Sequence, residues 1–378
     1  MSHSRQLPTG AINSGLFPDL KAVEKHGETF TELDQIGGRL QVVRFSGRAQ
    51  ESQHFQHSRE LGSGKFGTVD EVVHVQSGCL YARKTLPDAS GQEQAARHEA
   101  LLKEAGFLSR LNRRSPNWRP FVRAVLAYTT PTADPSVLRY SLILDPVADG
   151  GDLETFMKRC RTGRPDPFLE QKASDDRFFL EAPSILLGTF EDLAGAVRLI
   201  RENKLRHRDI KPPNVLIHRK RVLLSDFGFA QVYGGDRGET LGSSGPAGIK
   251  NHRYRAPEVL DGGTRSDKTD VYSLGCTFVE IVATMMGERC PVNPWPEEQW
   301  FGEGPDKRVA VHVFAEKLDE IIGALQGIPL FSLNASGLGQ MTKLVHFLIP
   351  RMLQRRAEDR PTAEEVEDMF GEGGEPAW

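Results

Sequence analysis

The sequence is poor in cysteine. Cys79, Cys160, Cys276 and Cys290 are its four, widely spread and without a CxxC pair. That pattern excludes a disulfide framework and a structural zinc site, and it fits a reducing compartment. An excess of one charge sign is also missing. Lys and Arg number 48 against 51 Asp and Glu, a net charge of −3, which excludes a protein that grips nucleic acid mainly by charge. No apolar run approaches the roughly 20 residues of a membrane-spanning helix. Residues 1–10 lack the basic-then-apolar pattern of a secretion signal. The expectation is an intracellular protein, cytoplasmic or nuclear, with neither membrane nor nucleic acid among its partners. No internal repeat is visible.

What is present is ordinary globular material. The chain has 378 residues, 38% hydrophobic and 26% charged, enough for one large domain or two to three smaller ones with a substantial core. Residues 1–54 are mixed, with Arg39–Phe45 as a candidate strand. This extension reads equally as a disordered tail, a docking arm or a strand packed on the neighbouring sheet-rich part of the chain. Leu61–Val75 and Leu80–Leu86 read as strands around a turn at Gln76–Cys79. A helix is predicted over Gln92–Leu111, then strands over Phe121–Tyr128 and Leu138–Leu144, with Thr129–Pro135 as a loop. Beyond Asp145 the chain turns helical. Helices are predicted over Asp152–Arg161, Ile185–Asn203, Lys268–Thr284, Val309–Leu325, Met341–Gln354 and Thr362–Met369. Thr162–Ala182 reads as an insertion and Gln231–Lys250 as a Gly- and Ser-rich loop. A sheet-rich part followed by a helical part invites a ligand cleft between them.

Leu61, Gly62, Ser63, Gly64, Phe66, Gly67 and Val69 belong to a GxGxxG segment. Glycines punctuate turns everywhere, so the segment alone is weak. A Walker loop would need Ser or Thr after Gly64-Lys65, but Phe66 stands there, and Arg59 occupies the first glycine position. A dinucleotide fingerprint would open a helix, whereas Thr68–Val75 is β-branched and strand-like. A glycine loop joining two strands is the third option, with backbone N–H groups able to approach phosphates.

Lys84 falls on the next strand, two residues after Ala82. In isolation it reads as a surface lysine. On the following helix, Leu101, Glu104, Leu108 and Leu111 recur at steps of three and four and share one face. Glu104 thus sits in an apolar stripe, where a buried carboxylate needs a cation. Lys84 is a candidate partner; the alternative is a helix-edge Glu reaching solvent. Further on stand His207-Arg-Asp-Ile-Lys-Pro-Pro-Asn214, Ser225-Asp-Phe-Gly228, Ala256-Pro-Glu258, Asp270 and Arg360.

In this order, the set resembles the eukaryotic protein kinase family over roughly Phe55–Phe370. The resemblance implies an α+β, bilobal fold. A small antiparallel-sheet lobe with its helix C (55–147) would precede a larger, mainly helical lobe (148–370). Residues 1–54 would be an extension and 371–378 a tail. It implies ATP and Mg²⁺ as cofactors. By resemblance, Asp209 would orient the substrate hydroxyl and Lys211 would steady the γ-phosphate. Lys84, held by Glu104, would bind the α- and β-phosphates, and Asn214 and Asp226 would hold Mg²⁺. Val69 and Ala82 would cover adenine above and Leu216 below. The backbone at Asp145 and Val147 would bond its edge, Leu144 would take the gatekeeper position, and Asp152 would reach the ribose. Phe227, His207 and Leu108 resemble members of an apolar stack. Glu258 and Arg360 resemble a buried ion pair, and Asp270 would bond the catalytic-loop backbone.

Lys211 falls where Ser/Thr kinases carry lysine, and Ser/Thr protein substrates are expected. Asn251 departs from the threonine usual three residues before Tyr254. Arg208 resembles an arginine that binds an activation-loop phosphate, with Thr240, Ser243 and Ser244 as acceptors and an upstream kinase as a partner; the alternative is an unmodified loop. Asp149, Asp152, Glu154 and Glu280 either favour basic residues before the target or are solvated surface. A monomer is expected. The rival functions are a pseudokinase that binds nucleotide without transfer and a small-molecule kinase. Lys84, Asp209, Asn214 and Asp226 argue against the first; Ala256–Glu258 and Arg360 argue against the second.

Overall fold

A computed structural model describes residues 23–26, 41–64, 67–113, 120–162, 176–233, 253–263, 265–287, 290, 314, 318–328 and 338–370. The chain divides into two compact units, Met1–Val147 and Ala148–Trp378.

The first unit is built on one mixed eight-stranded sheet. Its strands are β1 (Val23–His26), β2 (Gln41–Arg44), β3 (Phe55–Gly64), β4 (Gly67–His74), β5 (Leu80–Thr85), β6 (Ala89–Ser90), β7 (Arg123–Pro131) and β8 (Val137–Asp145). The order is β1-β2-β7-β8-β5-β4-β3, with β6 beside β8. From β3 to β8 the pairings are antiparallel; β1 pairs β2, and β2 pairs β7, in parallel. Among the described residues, two helices belong to this unit: α1 (Arg48–His54), between β2 and β3, and α2 (Glu93–Arg113), between β6 and β7.

The single strand predicted over Leu61–Val75 is two strands. The chain reverses at the glycines, with Ser63 opposite Thr68 and Gly64 opposite Gly67. Gly67 has φ +125°, and a Cβ there would lie 1.9 Å from the Thr85 carbonyl oxygen, so only glycine fits. The loop expected over Thr129–Pro135 begins later. β7 runs on to Pro131, which can close a strand because a last residue need not donate to the ladder. Residues 41–54 are part of the sheet unit. Val43 and Phe45 join Phe55, Val72, Tyr81, Val125, Leu126, Tyr128 and Ile143 in a buried cluster. At about 25 cal/mol per Å², such side chains each contribute roughly 1.5–3 kcal/mol.

In the second unit, α3 (Leu153–Thr162), α4 (Asp176–Glu202), α5 (Pro257–Leu260) and α6 (Lys268–Met286) are followed by helices at Leu318–Gln326, Leu338–Lys343, Ile349–Met352 and Ala363–Asp368. The predicted start of α4 at Ile185 is corrected to Asp176; Pro183 lies inside the helix. Of the helix predicted over Val309–Leu325, residues from Leu318 onward are described as helix. The last helix opens with a capping box: the Thr362 hydroxyl accepts from Glu365 N, and Thr362 N donates to the Glu365 carboxylate. α6 is buried almost all round, from Thr269 to Thr284. Among the described residues the unit also holds two small ladders. β10 (Val215–His218) pairs β11 (Arg221–Leu224), and β9 (Leu205–Arg206) pairs β12 (Gln231–Val232). The loop expected from Gln231 therefore starts with a strand.

Candidate active site

In the first unit, period-two alternation puts Ala82 and Lys84 on one face of β5. Lys84 Nζ lies 2.8 Å from each carboxylate oxygen of Glu104 on α2. Glu104 is 3% exposed, in line with its place among Leu101, Leu108 and Leu111. Val69 stands opposite Lys84 on β4, and Leu144 opposite Ala82 on β8. Leu61, Gly62, Ser63 and Gly64 end β3 and Gly67 begins β4; Phe66 lies outside the described residues. A Cβ added at Gly62 or Gly64 would meet nothing within 4 Å, so the chain's own packing does not demand glycine there. The Asp145 carboxylate accepts from Arg123 at 3.0 Å through Oδ2. Val147 closes the unit.

In the second unit, a hairpin does the assembling. β10 and β11 pair with Val215 opposite Leu224. Asn214, just before β10, and Ser225-Asp226, just after β11, are thereby neighbours. Ser225 donates its N–H and its hydroxyl to the Asn214 carbonyl, each at 2.9 Å. Asp226 comes next, in a left-handed conformation, φ 60°, which a non-glycine residue adopts only when its surroundings hold it there. Asn214 Nδ2 donates to Asp209 Oδ2 at 3.0 Å and to the Asp209 carbonyl at 2.7 Å. Lys211 Nζ donates to the same Oδ2 at 2.8 Å. With its nitrogen so used, Asn214 presents Oδ1 as its remaining ligand atom. An amide oxygen and a carboxylate, with phosphate oxygens and water completing the shell, form a donor set that suits Mg²⁺.

Asp270, near the start of α6, is fully buried. It accepts from the backbone N–H of His207 (2.7 Å) and of Arg208 (2.8 Å). Burial raises its pKa, and those two bonds with the nearby His207 oppose the rise. The pair of bonds holds Arg208 at φ 71°. The His207 ring lies 4.5 Å edge-on from the Phe227 ring, and Nε2 lies 3.0 Å from the Ser225 carbonyl. Arg360 is buried with every donor used: Nε to Gln354 O, Nη1 to Glu258 Oε1 and Lys268 O, Nη2 to Glu258 Oε2 and Arg355 O. Leu216 bridges Asp152, whose two carboxylate oxygens accept from the Thr155 N–H and hydroxyl and cap α3.

Glu280 corrects the surface reading. It is buried, bound to Arg253 at 2.5 Å and to the Tyr254 hydroxyl at 3.0 Å, and is not a solvated charge. Arg206, Arg208 and Arg265 lie near the Asp270 carboxylate, and Arg255 lies near Arg208, Arg265 and Asp209. Arg208 is pushed down to about 10 by burial and by the Arg265 and Arg206 guanidiniums, and burial likewise lowers Arg255 and Arg265. Arg206, Arg255 and Arg265 carry no sequence signal of their own, because no single motif contains them. Thr240, Ser243, Ser244 and Asn251 lie outside the described residues.

The protein kinase domain family matches residues 55–369. A probable serine/threonine-protein kinase nek2 of Dictyostelium discoideum is 25% identical over 225 residues, 58% of this chain and 46% of the relative. The chain thus spans about half the length of that curated relative. With the family match covering the glycine segment, the Lys84–Glu104 pair and the Asp209–Asn214–Asp226 cluster, the chain belongs to the protein kinase family.

Proposed function

We propose that this chain transfers the γ-phosphoryl group of ATP to Ser and Thr hydroxyls of protein substrates, with residues 55–370 as the transferring domain. The observation that carries the reading is the Asp209 carboxylate. Both Lys211 and Asn214 bond its Oδ2, which leaves Oδ1 to accept from an incoming hydroxyl. Phosphoryl transfer asks mainly for such positioning and for charge stabilisation.

Each further role has a geometric reason. Lys84, fixed by Glu104, holds the α- and β-phosphates. The open backbone at Gly62 and Gly64 admits phosphate where a side chain would crowd it. Val69, Ala82 and Leu216 supply apolar surface for adenine, and the Asp145 and Val147 backbone bonds its edge. The lone pairs of Asp152 left over from capping serve the ribose. Asn214 Oδ1 and Asp226 hold Mg²⁺, which when bound neutralises phosphate charge. Lys211 also steadies the γ-phosphate. Ser/Thr specificity rests on Lys211 and on the similarity to the nek2 relative.

Regulation through the loop before Ala256 is part of this reading. Arg206, Arg208, Arg255 and Arg265 bring four positive charges close to one another, three of them near the buried Asp270 carboxylate and Arg255 near Asp209. A phosphate on Thr240, Ser243 or Ser244 would relieve that repulsion and order the loop. An upstream kinase is then a partner. Glu280, already neutralised by Arg253, is removed from any preference for basic substrates.

The test is transfer of labelled phosphate from Mg·ATP to a generic Ser/Thr protein substrate, with phospho-amino-acid analysis of the product. Label on Ser or Thr, absent with Asp209→Asn, supports the reading. Nucleotide binding without transfer, persisting with Asp or Glu at Thr240, Ser243 and Ser244, would instead favour a nucleotide-binding scaffold.

A further inference from the structure

Lys84 has a counterpart on the other face of its strand. Alternation along β5 sends Lys84 toward α2 and Arg83 to the opposite side. There Arg83 stands opposite Asp70 in the β4–β5 register and grips it twice, Nε to Oδ1 at 3.1 Å and Nη2 to Oδ2 at 2.5 Å. Its remaining nitrogen, Nη1, donates to Glu51 Oε1 at 2.6 Å. The Tyr128 hydroxyl donates to the same oxygen at 2.8 Å. Glu51 belongs to α1, and it is buried together with Asp70 and Tyr128.

The setting is buried and closely packed. Tyr128 is 0% exposed, with the Phe45 ring 5.0 Å away edge-on and the Phe55 ring stacked at 5.9 Å. Burial and the Glu51 carboxylate push the Tyr128 phenol up, so it stays a donor. His57 Nδ1 lies 2.9 Å from Asp70 Oδ2 on the outer side. Phe45 N donates to Thr129 O and Val75 N to His54 O, so both ends of residues 45–54 are tied to the sheet.

A buried ion pair is a poor device for stability alone, because apolar side chains of similar volume serve as well. It is a good device for fixing position, since charge-assisted bonds from a planar guanidinium have strict geometry. Arg83 is held by β4 and by α1 at once, and the next residue along the strand is Lys84. Glu51 also lies outside residues 55–369, the part matched by the family. The ion pair therefore connects a segment outside the family match with the strand that carries Lys84.

We propose that Glu51 is a positioning residue for Lys84, fixing through Arg83 the strand whose next side chain holds the phosphates of ATP. The proposal rests on the reading of Lys84 as a nucleotide-binding residue.

Adenosine separates positioning from general loosening, because it shares the base and ribose of ATP but carries no phosphate for Lys84. The experiment measures the affinity of the full chain for Mg·ATP and for adenosine by calorimetry. Wild type and Glu51→Gln are compared at a temperature where circular dichroism finds both folded. The expected result is Mg·ATP binding weakened about 3- to 10-fold with adenosine binding changed less than about 1.5-fold. Equal weakening of both ligands, or unchanged Mg·ATP binding, overturns the proposal while leaving the nucleotide reading intact. Absence of Mg·ATP binding in the wild type overturns the nucleotide reading and this proposal with it. Should Glu51→Gln fail to fold, Tyr128→Phe removes a donor to the same oxygen. It should give the same selective loss, about 2- to 3-fold, and equal or absent loss overturns the proposal in the same way.

Discussion

Ser225 gives both its backbone N–H and its hydroxyl to the carbonyl oxygen of Asn214, each at 2.9 Å. The bonds lock together the two loops that carry the proposed Mg²⁺ ligands. In Ser225→Ala the backbone bond survives and the hydroxyl bond is lost, a change of about 0.5–1.5 kcal/mol. The expected outcome is a roughly 2- to 10-fold higher Mg²⁺ concentration for half-maximal transfer, that energy converted to a ratio. A Mg²⁺ titration of activity checks it. An unchanged midpoint would mean that the hydroxyl does not bear on the loop pair.

The Glu258–Arg360 pair predicts a stability effect without a specific effect on chemistry. Arg360→Lys keeps the charge and loses the planar fork that reaches three backbone carbonyls and both Glu258 oxygens. Loss of about 2–4 kcal/mol in denaturant unfolding is expected, since several buried acceptors lose their donors. A loss below about 0.5 kcal/mol would contradict the packing described for this arginine.

The glycines should separate by mechanism. Gly67→Ala meets the Thr85 carbonyl at a positive φ, so it should destabilise the protein by about 2 kcal/mol or more. Gly62→Ala meets nothing and should leave stability within about 0.5 kcal/mol. If Gly62 gives phosphate its approach, the same change should still weaken ATP binding. Thermal melts beside nucleotide titrations distinguish the two.

His54 supplies a pH prediction. It is buried on α1 with its ring 5.3 Å from Phe45, and burial lowers its pKa below the usual 6.5. The unfolded chain then binds a proton that the folded chain resists. This contribution to stability is present above pH 6.5 and is lost as pH falls below it toward the lowered folded value. His54→Gln should flatten the part of the stability-against-pH curve just below 6.5. An unaltered curve would place His54 in a more solvated setting.

Much of the site was legible because its residues sit in motif loops or at helical spacing. Glu104 was readable from steps of three and four along α2, and Asn214, Asp226 and Asp270 from short motifs. Glu280 was not, because a carboxylate on a helix reads as surface until the helix is known to be buried all round. Its partner Arg253 lies 27 positions earlier (280 minus 253), with nothing local to link them. α4 was read short because Thr162–Ala182 looks like a Pro- and Asp-rich insertion, and Pro183, which lacks the N–H a helix interior uses, lies inside the helix two turns from its start. The strand expected over Arg39–Phe45 is present as β2 at Gln41–Arg44, but its partner and the helix that follows it were not legible. The strand's place comes from parallel pairing of β2 with β7, a contact across more than eighty positions that no local pattern encodes.

The central claim is that Asp209 orients the acceptor hydroxyl while other residues hold the nucleotide. The most direct measurement is the kcat for Ser/Thr phosphorylation and the Mg·ATP affinity of Asp209→Asn beside wild type. The predicted result is a fall in kcat of about 10²- to 10⁴-fold with nucleotide affinity within a few-fold, since the change removes the proton acceptor and leaves Lys84 and Asp226 in place. A variant that transfers phosphate at the wild-type rate would contradict it.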